Sequence, residues 1–253
     1  KPYTIYVDGT IEETVDPTSV DPTAISITSG KNITIKSVNS SGETKPVIQG
    51  DGNGRIIFAS GTVVLEDLVL KGGNNTTSGG GIYVSYTGVL TMKNCTITDC
   101  NATNLGGGIY LTANATLIDC TFSGNTATNG KALYLQDGTL NVNGKIQSST
   151  DDFYITTGKT ITIQSPLSTD SSIVVTPSDY TVGTQILQTD SDVNLENEVN
   201  KFKVSDDKWL ISSTGTLFSL EAQTNEASEN VAIFTNIPAG STVTVDASTL
   251  TNK

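Results

Sequence analysis

The sequence has no histidine, one arginine (Arg55), one methionine and one tryptophan among its 253 residues. Without histidine, Ser-His-Asp and Cys-His catalysis cannot be assembled within one chain. A structural zinc site would need four thiolates, and there are only three cysteines, Cys95, Cys100 and Cys120. An odd count also leaves at least one thiol free or intermolecular under oxidising conditions. No stretch approaches the ~20 consecutive apolar residues of a membrane helix, so no membrane insertion by this segment is expected. Cationic side chains are scarce: 14 Lys and Arg face 26 Asp and Glu, giving a net charge of −12. Phosphate recognition needs clustered cations, so nucleic acid is not an expected partner. The same acidity favours solubility and disfavours anionic membranes. No signal-peptide pattern opens the chain, which is equally consistent with a cytosolic protein, a mature secreted one or a trimmed one. Helix-forming runs of Ala, Leu, Glu and Lys are few.

What fills the sequence is β-branched residues with Thr, Ser, Asn and Gly, a composition that suits strands. It is also repetitive. Val63, Leu65, Leu68 and Leu70 reappear as Leu90, Met92, Cys95 and Ile97, each 27 residues on. Leu117, Cys120 and Phe122 follow at a spacing of 25, and Leu140 and Val142 then follow Ala115 and Leu117. In step with these, Ile82-Tyr-Val84, Ile109-Tyr-Leu111 and Leu133-Tyr-Leu135 alternate apolar, Tyr, apolar. That is strand periodicity. With the aliphatic residues inward, Tyr83, Tyr110 and Tyr134 share one outer face. Three short strands per period, and no helix, point to an all-β, single-stranded parallel β-helix whose coils bury their apolar faces on one another.

The theme extends to Ile25, Ile27, Ile33 and Ile35, to Ile161 and Ile163, and to Trp209–Ile211, Leu217 and Leu220. The expectation is therefore a β-helix over residues 1–220, of roughly eight or nine coils and about 40 Å long at the usual strand spacing. Residues 1–24, with Pro17 and Pro22, are expected to form an N-terminal cap, since an open coil end is an exposed sheet edge. The polar stretch from Glu221 onward changes character, and 221–253 is expected to be a C-terminal cap or tail.

The stretches Ser78-Gly-Gly-Gly-Ile-Tyr-Val84 and Leu105-Gly-Gly-Gly-Ile-Tyr-Leu111 could be taken for phosphate-binding loops. Such a loop needs a helix after it, with its N-terminus on the anion. A strand follows each, so the glycines are expected to serve close stacking. Gly79–Ile82 and Gly106–Ile109, with Phe122-Ser-Gly-Asn125, resemble the GGA(I/L/V) and FxxN repeats of polymorphic outer-membrane proteins and of bacterial adhesin-like β-helix proteins. The resemblance covers about Gly61 to Ile146. Only one FxxN is intact, and the third glycine stands where the family has alanine until Ala132 restores it. It implies a right-handed β-helix, display at a bacterial cell surface or outside the cell, and a non-catalytic adhesive role toward a host or matrix protein or glycan.

Chemistry has few candidates. Asp67, Asn94 and Asp119 fall at equivalent positions in consecutive coils, with Lys93 close by. A carboxylate ladder of this kind could hold calcium, and a neighbouring lysine could abstract a proton, as in a polysaccharide lyase. The simpler use is an Asx ladder at a turn, with Glu66 and Lys93 as a surface ion pair. The acidic pairs Asp151-Asp152, Asp190/Asp192 and Asp206-Asp207 are expected in solvated loops. Cys95 and Cys120 stack in adjacent coils, close enough for a disulfide but expected as buried free thiols. The tyrosine row is the candidate ligand-binding face. No catalytic, metal or cofactor site is expected on the main reading. Asp67, Asp119 and Lys93 would be the site of a calcium-dependent lyase on the alternative one.

Overall fold

The computed structural model describes residues 2–13, 22–38 and 44–220, and the backbone of 223–224 and 232–233. Each coil has two to four strands. The first contains β1 (Tyr3–Val7), β2 (Thr10–Glu13) and β3 (Thr23–Ile27); the second β4 (Asn32–Ser37), β5 (Val47–Gly50) and β6 (Arg55–Ala59). The third has β7 (Thr62–Glu66), β8 (Val69–Lys71), the two-residue β9 (Asn74–Asn75) and β10 (Ile82–Val84). The fourth repeats this with β11 (Val89–Lys93), β12 (Thr96–Thr98), β13 (Asn101–Ala102) and β14 (Ile109–Leu111). Then come β15 (Asn114–Ile118), β16 (Thr121–Ser123) and β17 (Leu133–Leu135); β18 (Leu140–Gly144) and β19 (Gln147–Ile155); and β20 (Ile161–Leu167) and β21 (Ser172–Pro177). A partial coil follows, with β22 (Leu187–Thr189), two single 3-10 turns and β23 (Phe202–Val204). β24 (Trp209–Ile211) and β25 (Leu217–Ser219) end the described stack.

Every pairing between coils is parallel and joins a strand to its counterpart one coil away. The first face runs β1-β4-β7-β11-β15-β18-β20-β22. The second runs β2-β5-β8-β12-β16 and the third β3-β6-β10-β14-β17; both meet the long β19, which turns the corner between them and pairs onward with β21, and β21 with β23. This is the all-β parallel solenoid read from the repeat, with about seven turns. The shortfall against eight or nine has a specific source. Trp209–Leu220 alternates like a coil, but β24 and β25 pair antiparallel as a hairpin. Of the expected N-terminal segment, Tyr3–Val7, Thr10–Glu13 and Thr23–Ile27 are strands of the first coil, and 14–21 lie outside the described residues. The expected C-terminal cap or tail also lies outside them, apart from 223–224 and 232–233, which pair antiparallel.

The core is one column. Val63, Leu90, Ala115, Leu140 and Ile161 stack in register along the first face, with Leu65, Met92, Leu117, Val142 and Ile163 beside them, all buried. Alternation alone sets this: a one-residue slip would turn the whole column outward. The coil corners use the left-handed backbone region. Asp67, Asn94 and Asp119 have φ of 57°, 49° and 53°, and Gly144 takes the next corner at 64°. Asx residues tolerate this region better than other side chains do, because they can hydrogen-bond locally there. The glycine-rich loops leave no room for a side chain. A Cβ on Gly107 would lie 2.5 Å from the Thr126 carbonyl oxygen of the next coil.

Candidate binding face and acidic corner

The third face carries a continuous aromatic ladder. Register pairs Phe58 with Tyr83, Tyr83 with Tyr110, Tyr110 with Tyr134, and Tyr134 with Tyr154. Ring centroids are 5.4, 4.9, 5.6 and 4.8 Å apart in that order. The strand spacing imposes these distances, since stacked coils place equivalent side chains one strand apart. All five side chains are half-buried. The three inner rings each have a neighbour on both sides, so they present edges and hydroxyls to solvent more than faces. Burial, and then the neighbouring phenols Tyr83 and Tyr134, push the Tyr110 pKa up to about 12. Tyr134 is raised for the same reasons, by burial first and then by Tyr154.

The sole arginine anchors one end of the ladder. Arg55 is buried, with Cζ 5.0 Å from the Tyr83 ring centroid and 5.9 Å from that of Phe58. Its Nη2 donates to the Ser78 carbonyl at 3.0 Å and its Nε to the Gly79 carbonyl at 3.4 Å. One guanidinium thus ties the ladder to the first glycine-rich loop. Tyr83, Tyr110 and Tyr134 stand where alternation places them. Phe58 and Tyr154 extend the row beyond that reading. Their signal was the same triplet, Ile57-Phe-Ala59 and Phe153-Tyr-Ile155, but coil lengths change on either side and a fixed offset misses them.

The acidic corner resolves into a turn ladder. Asn94 Nδ2 donates to Asp67 Oδ1 at 2.7 Å. Asp119 Oδ1 accepts the Lys145 backbone N–H at 2.8 Å. Lys93 Nζ lies 3.3 Å from Glu66 Oε1, with both side chains partly exposed, a contact worth under about 1 kcal/mol. Asp67 and Asp119 therefore share a corner two coils apart, with the Asn94 amide between them, and Lys93 is turned to Glu66. Among the described residues no group of three or more His, Cys, Asp or Glu is placed to hold a metal ion.

One acidic pair departs from expectation. Asp151 and Asp152 lie within β19, not in a loop, and Asp151 is buried. Its Oδ2 accepts from the Asn125 side chain at 2.8 Å and from the Asn125 backbone N–H at 2.9 Å. Asn125 in turn accepts the Cys100 N–H at 3.0 Å and donates to the Ile97 carbonyl at 3.0 Å. The single intact FxxN asparagine is thus a buried clasp across three coils. Asp190, Asp192, Asp206 and Asp207 are in turns, as read. Cys95, Cys100 and Cys120 are buried free thiols, each donating to the carbonyl two residues before it. Burial raises the pKa of all three, to about 12 for Cys100 and about 11 for Cys120.

Comparison with known proteins agrees with this architecture. A family model described as the right-handed β-helix region matches residues 5–198. No curated protein and no solved structure matches the chain.

Proposed function

The chain belongs to the right-handed β-helix family, and from that premise we propose that it is a non-catalytic, adhesin-like binding module, presented outside a bacterial cell or at its surface. The observation that carries this reading is the five-ring ladder: an uninterrupted, half-exposed aromatic row on a flat sheet. Aromatic residues dominate recognition surfaces because they contribute large contact area at low entropic cost, and tyrosine adds a hydroxyl. The stiff backbone fixes the row before any partner arrives, which lowers the ordering cost of binding. The partner is a host or matrix protein or a glycan, met by several tyrosines at once. The polymorphic outer-membrane-protein-like repeats favour the same setting.

The corner geometry supports a structural role for Asp67, Asn94 and Asp119, since the contacts they make go to neighbouring coils. The deciding experiment has two arms. Immobilised matrix proteins and glycans are probed with the wild type and with Tyr83→Ser, Tyr110→Ser and Tyr134→Ser combined. Loss of capture in the triple variant, with melting retained, supports the reading, and equal capture refutes it. In the second arm, acidic and neutral polysaccharides are incubated with the protein with and without calcium. Calcium-dependent unsaturated ends that disappear in Lys93→Ala would replace the binding module with a polysaccharide lyase.

A further inference from the structure

Asparagine is followed by glycine at three places: Asn53-Gly54, Asn129-Gly130 and Asn143-Gly144. An asparagine amide is at its most reactive in this setting, because glycine has no Cβ to shield its backbone nitrogen. In water that nitrogen can attack the asparagine Cγ. The three dipeptides share this chemistry, so what separates them is how firmly the fold holds each one.

Asn143 is held by backbone and side chain. It lies within β18, which pairs with β15 on one side and β20 on the other. Its Nδ2 donates to Gln164 Oε1 at 3.3 Å, and its Oδ1 accepts from the Ser165 hydroxyl at 3.0 Å. Asn129 is held by its backbone. Its N–H donates to the Asn104 carbonyl at 3.1 Å and its carbonyl accepts the Gly106 N–H at 3.0 Å. The Gly130 carbonyl accepts the Gly107 N–H at 3.1 Å. Bringing the glycine nitrogen onto Cγ at either place means rotating a chain that neighbouring coils hold.

Asn53 is held differently. It stands in the turn formed by residues 51–54, between β5 and β6. Its side chain is exposed and makes no hydrogen bond among the described residues. Its N–H goes to Asp51 Oδ1 at 2.9 Å, inside the same turn. Among the described residues, neither the Asn53 carbonyl nor the Gly54 N–H makes a backbone hydrogen bond to a neighbouring coil. Gly52, just before it, has open space beside it: an added Cβ there would meet nothing within 4 Å.

We propose that Asn53 is a site of spontaneous deamidation, and that its isoaspartyl product undoes the N-terminal anchor of the aromatic ladder. The Gly54 nitrogen gives its proton to hydroxide and bonds to Asn53 Cγ. The Cγ–Nδ2 bond breaks and ammonia leaves. Water then opens the resulting succinimide at either carbonyl, giving aspartate or isoaspartate. No electrons are transferred, and water is the only co-reactant.

Isoaspartate routes the main chain through Cβ, which adds one carbon to the backbone before Gly54. The chain has no slack there. A Cβ on Gly54 would lie 2.4 Å from the Pro22 carbonyl oxygen. The Gly54 carbonyl accepts the Asn74 N–H at 2.8 Å, and the Arg55 N–H donates to the Pro22 carbonyl at 3.1 Å. Arg55 in turn holds the Ser78 and Gly79 carbonyls and lies beside the Tyr83 and Phe58 rings. The added carbon therefore displaces the residue that ties the ladder to the first glycine-rich loop. Aspartate at the same position keeps the chain length and leaves that tie in place.

The test holds the full chain in mildly alkaline buffer, native and in urea, and follows each asparagine by peptide mapping with isoaspartyl methyltransferase labelling. In the native protein Asn53 should convert at least about tenfold faster than Asn129 and Asn143, whose bonded backbone has to open first. In urea the three rates should agree within about threefold, since no fold remains to open. The aged isoaspartyl form, separated by ion exchange, should melt below both the starting protein and a fresh Asn53→Asp variant. Asn53→Gln should abolish the early conversion and leave the melting curve unchanged on ageing. The site is overturned if native Asn53 converts no faster than the other two, or if its lead persists unchanged in urea. The effect on the anchor is overturned if the isoaspartyl form melts together with Asn53→Asp.

Discussion

Replacing Asn125 with alanine should be among the most damaging single side-chain truncations on this molecule, even though no apolar packing is at stake. The side chain makes three hydrogen bonds inside the stack: it accepts from the Cys100 N–H at 3.0 Å, and donates to the Ile97 carbonyl at 3.0 Å and to Asp151 Oδ2 at 2.8 Å. Truncation leaves the buried Cys100 N–H unpaired, roughly 2 kcal/mol, and removes a charge-assisted donor from a buried carboxylate, roughly 2 kcal/mol more. The expected cost is about 4 kcal/mol. Asp151 keeps the Asn125 backbone N–H and the Thr150 hydroxyl, so its charge is not fully orphaned. Urea unfolding followed by circular dichroism should show the Asn125→Ala midpoint lower by about 1–2 M, given typical denaturant slopes. Native-state hydrogen exchange should show the Cys100 amide losing protection first. A loss below about 1 kcal/mol with that amide still protected would refute the clasp.

Tyr110 should ionise late. Its raised pKa means that folding holds the phenol neutral, so the ladder's full contribution is present below about pH 10 and is lost as pH rises through about 12. A tyrosinate absorbance titration should show an early group of exposed phenols and a late one that merges with unfolding; a single titration at the ordinary value would contradict the stacked row. The three thiols should resist alkylation in the native protein and all react after unfolding, and modification of any one under native conditions would contradict their burial. Gly107→Ala should cost about 3 kcal/mol or prevent folding, because its Cβ would meet backbone oxygens of Thr126 and Lys131 at 2.5 and 2.7 Å. Gly158→Ala, with nothing within 4 Å of the added carbon, should cost only the left-handed backbone strain of about 1–2 kcal/mol, as compared by thermal melting.

The central coils were legible because their signal is arithmetic. Val63, Leu90 and Leu65, Met92 recur at one spacing, and stacking forces equivalent residues into the same column. The corner ladder of Asp67, Asn94 and Asp119 and the row Tyr83, Tyr110, Tyr134 came with it. Legibility failed where the period breaks. Between β19 and β21 the register shifts between Ser148 and Asp152, and the loop before the third face is lost. Tyr154 therefore falls outside a constant offset, and Asp151 looked like a loop residue because its partner Asn125 is a whole coil away. Trp209–Ile211 shows the limit of alternation, which marks a strand without saying whether its neighbour runs with it or against it.

The parallel pairing also has a mechanical consequence. Among the described residues β1 is bonded on one edge only, to β4. A load applied to the two ends of the described chain would not shear the sheets as blocks. It would peel one coil at a time, breaking bonds in sequence while the remaining coils stay folded. Coils whose equivalent residues lie 25–27 apart would each release roughly 80–90 Å of slack. Such a rod gives way in steps under tension and can rewind when the tension falls. The buried Asn125 clasp, linking three coils, marks where that peeling should pause.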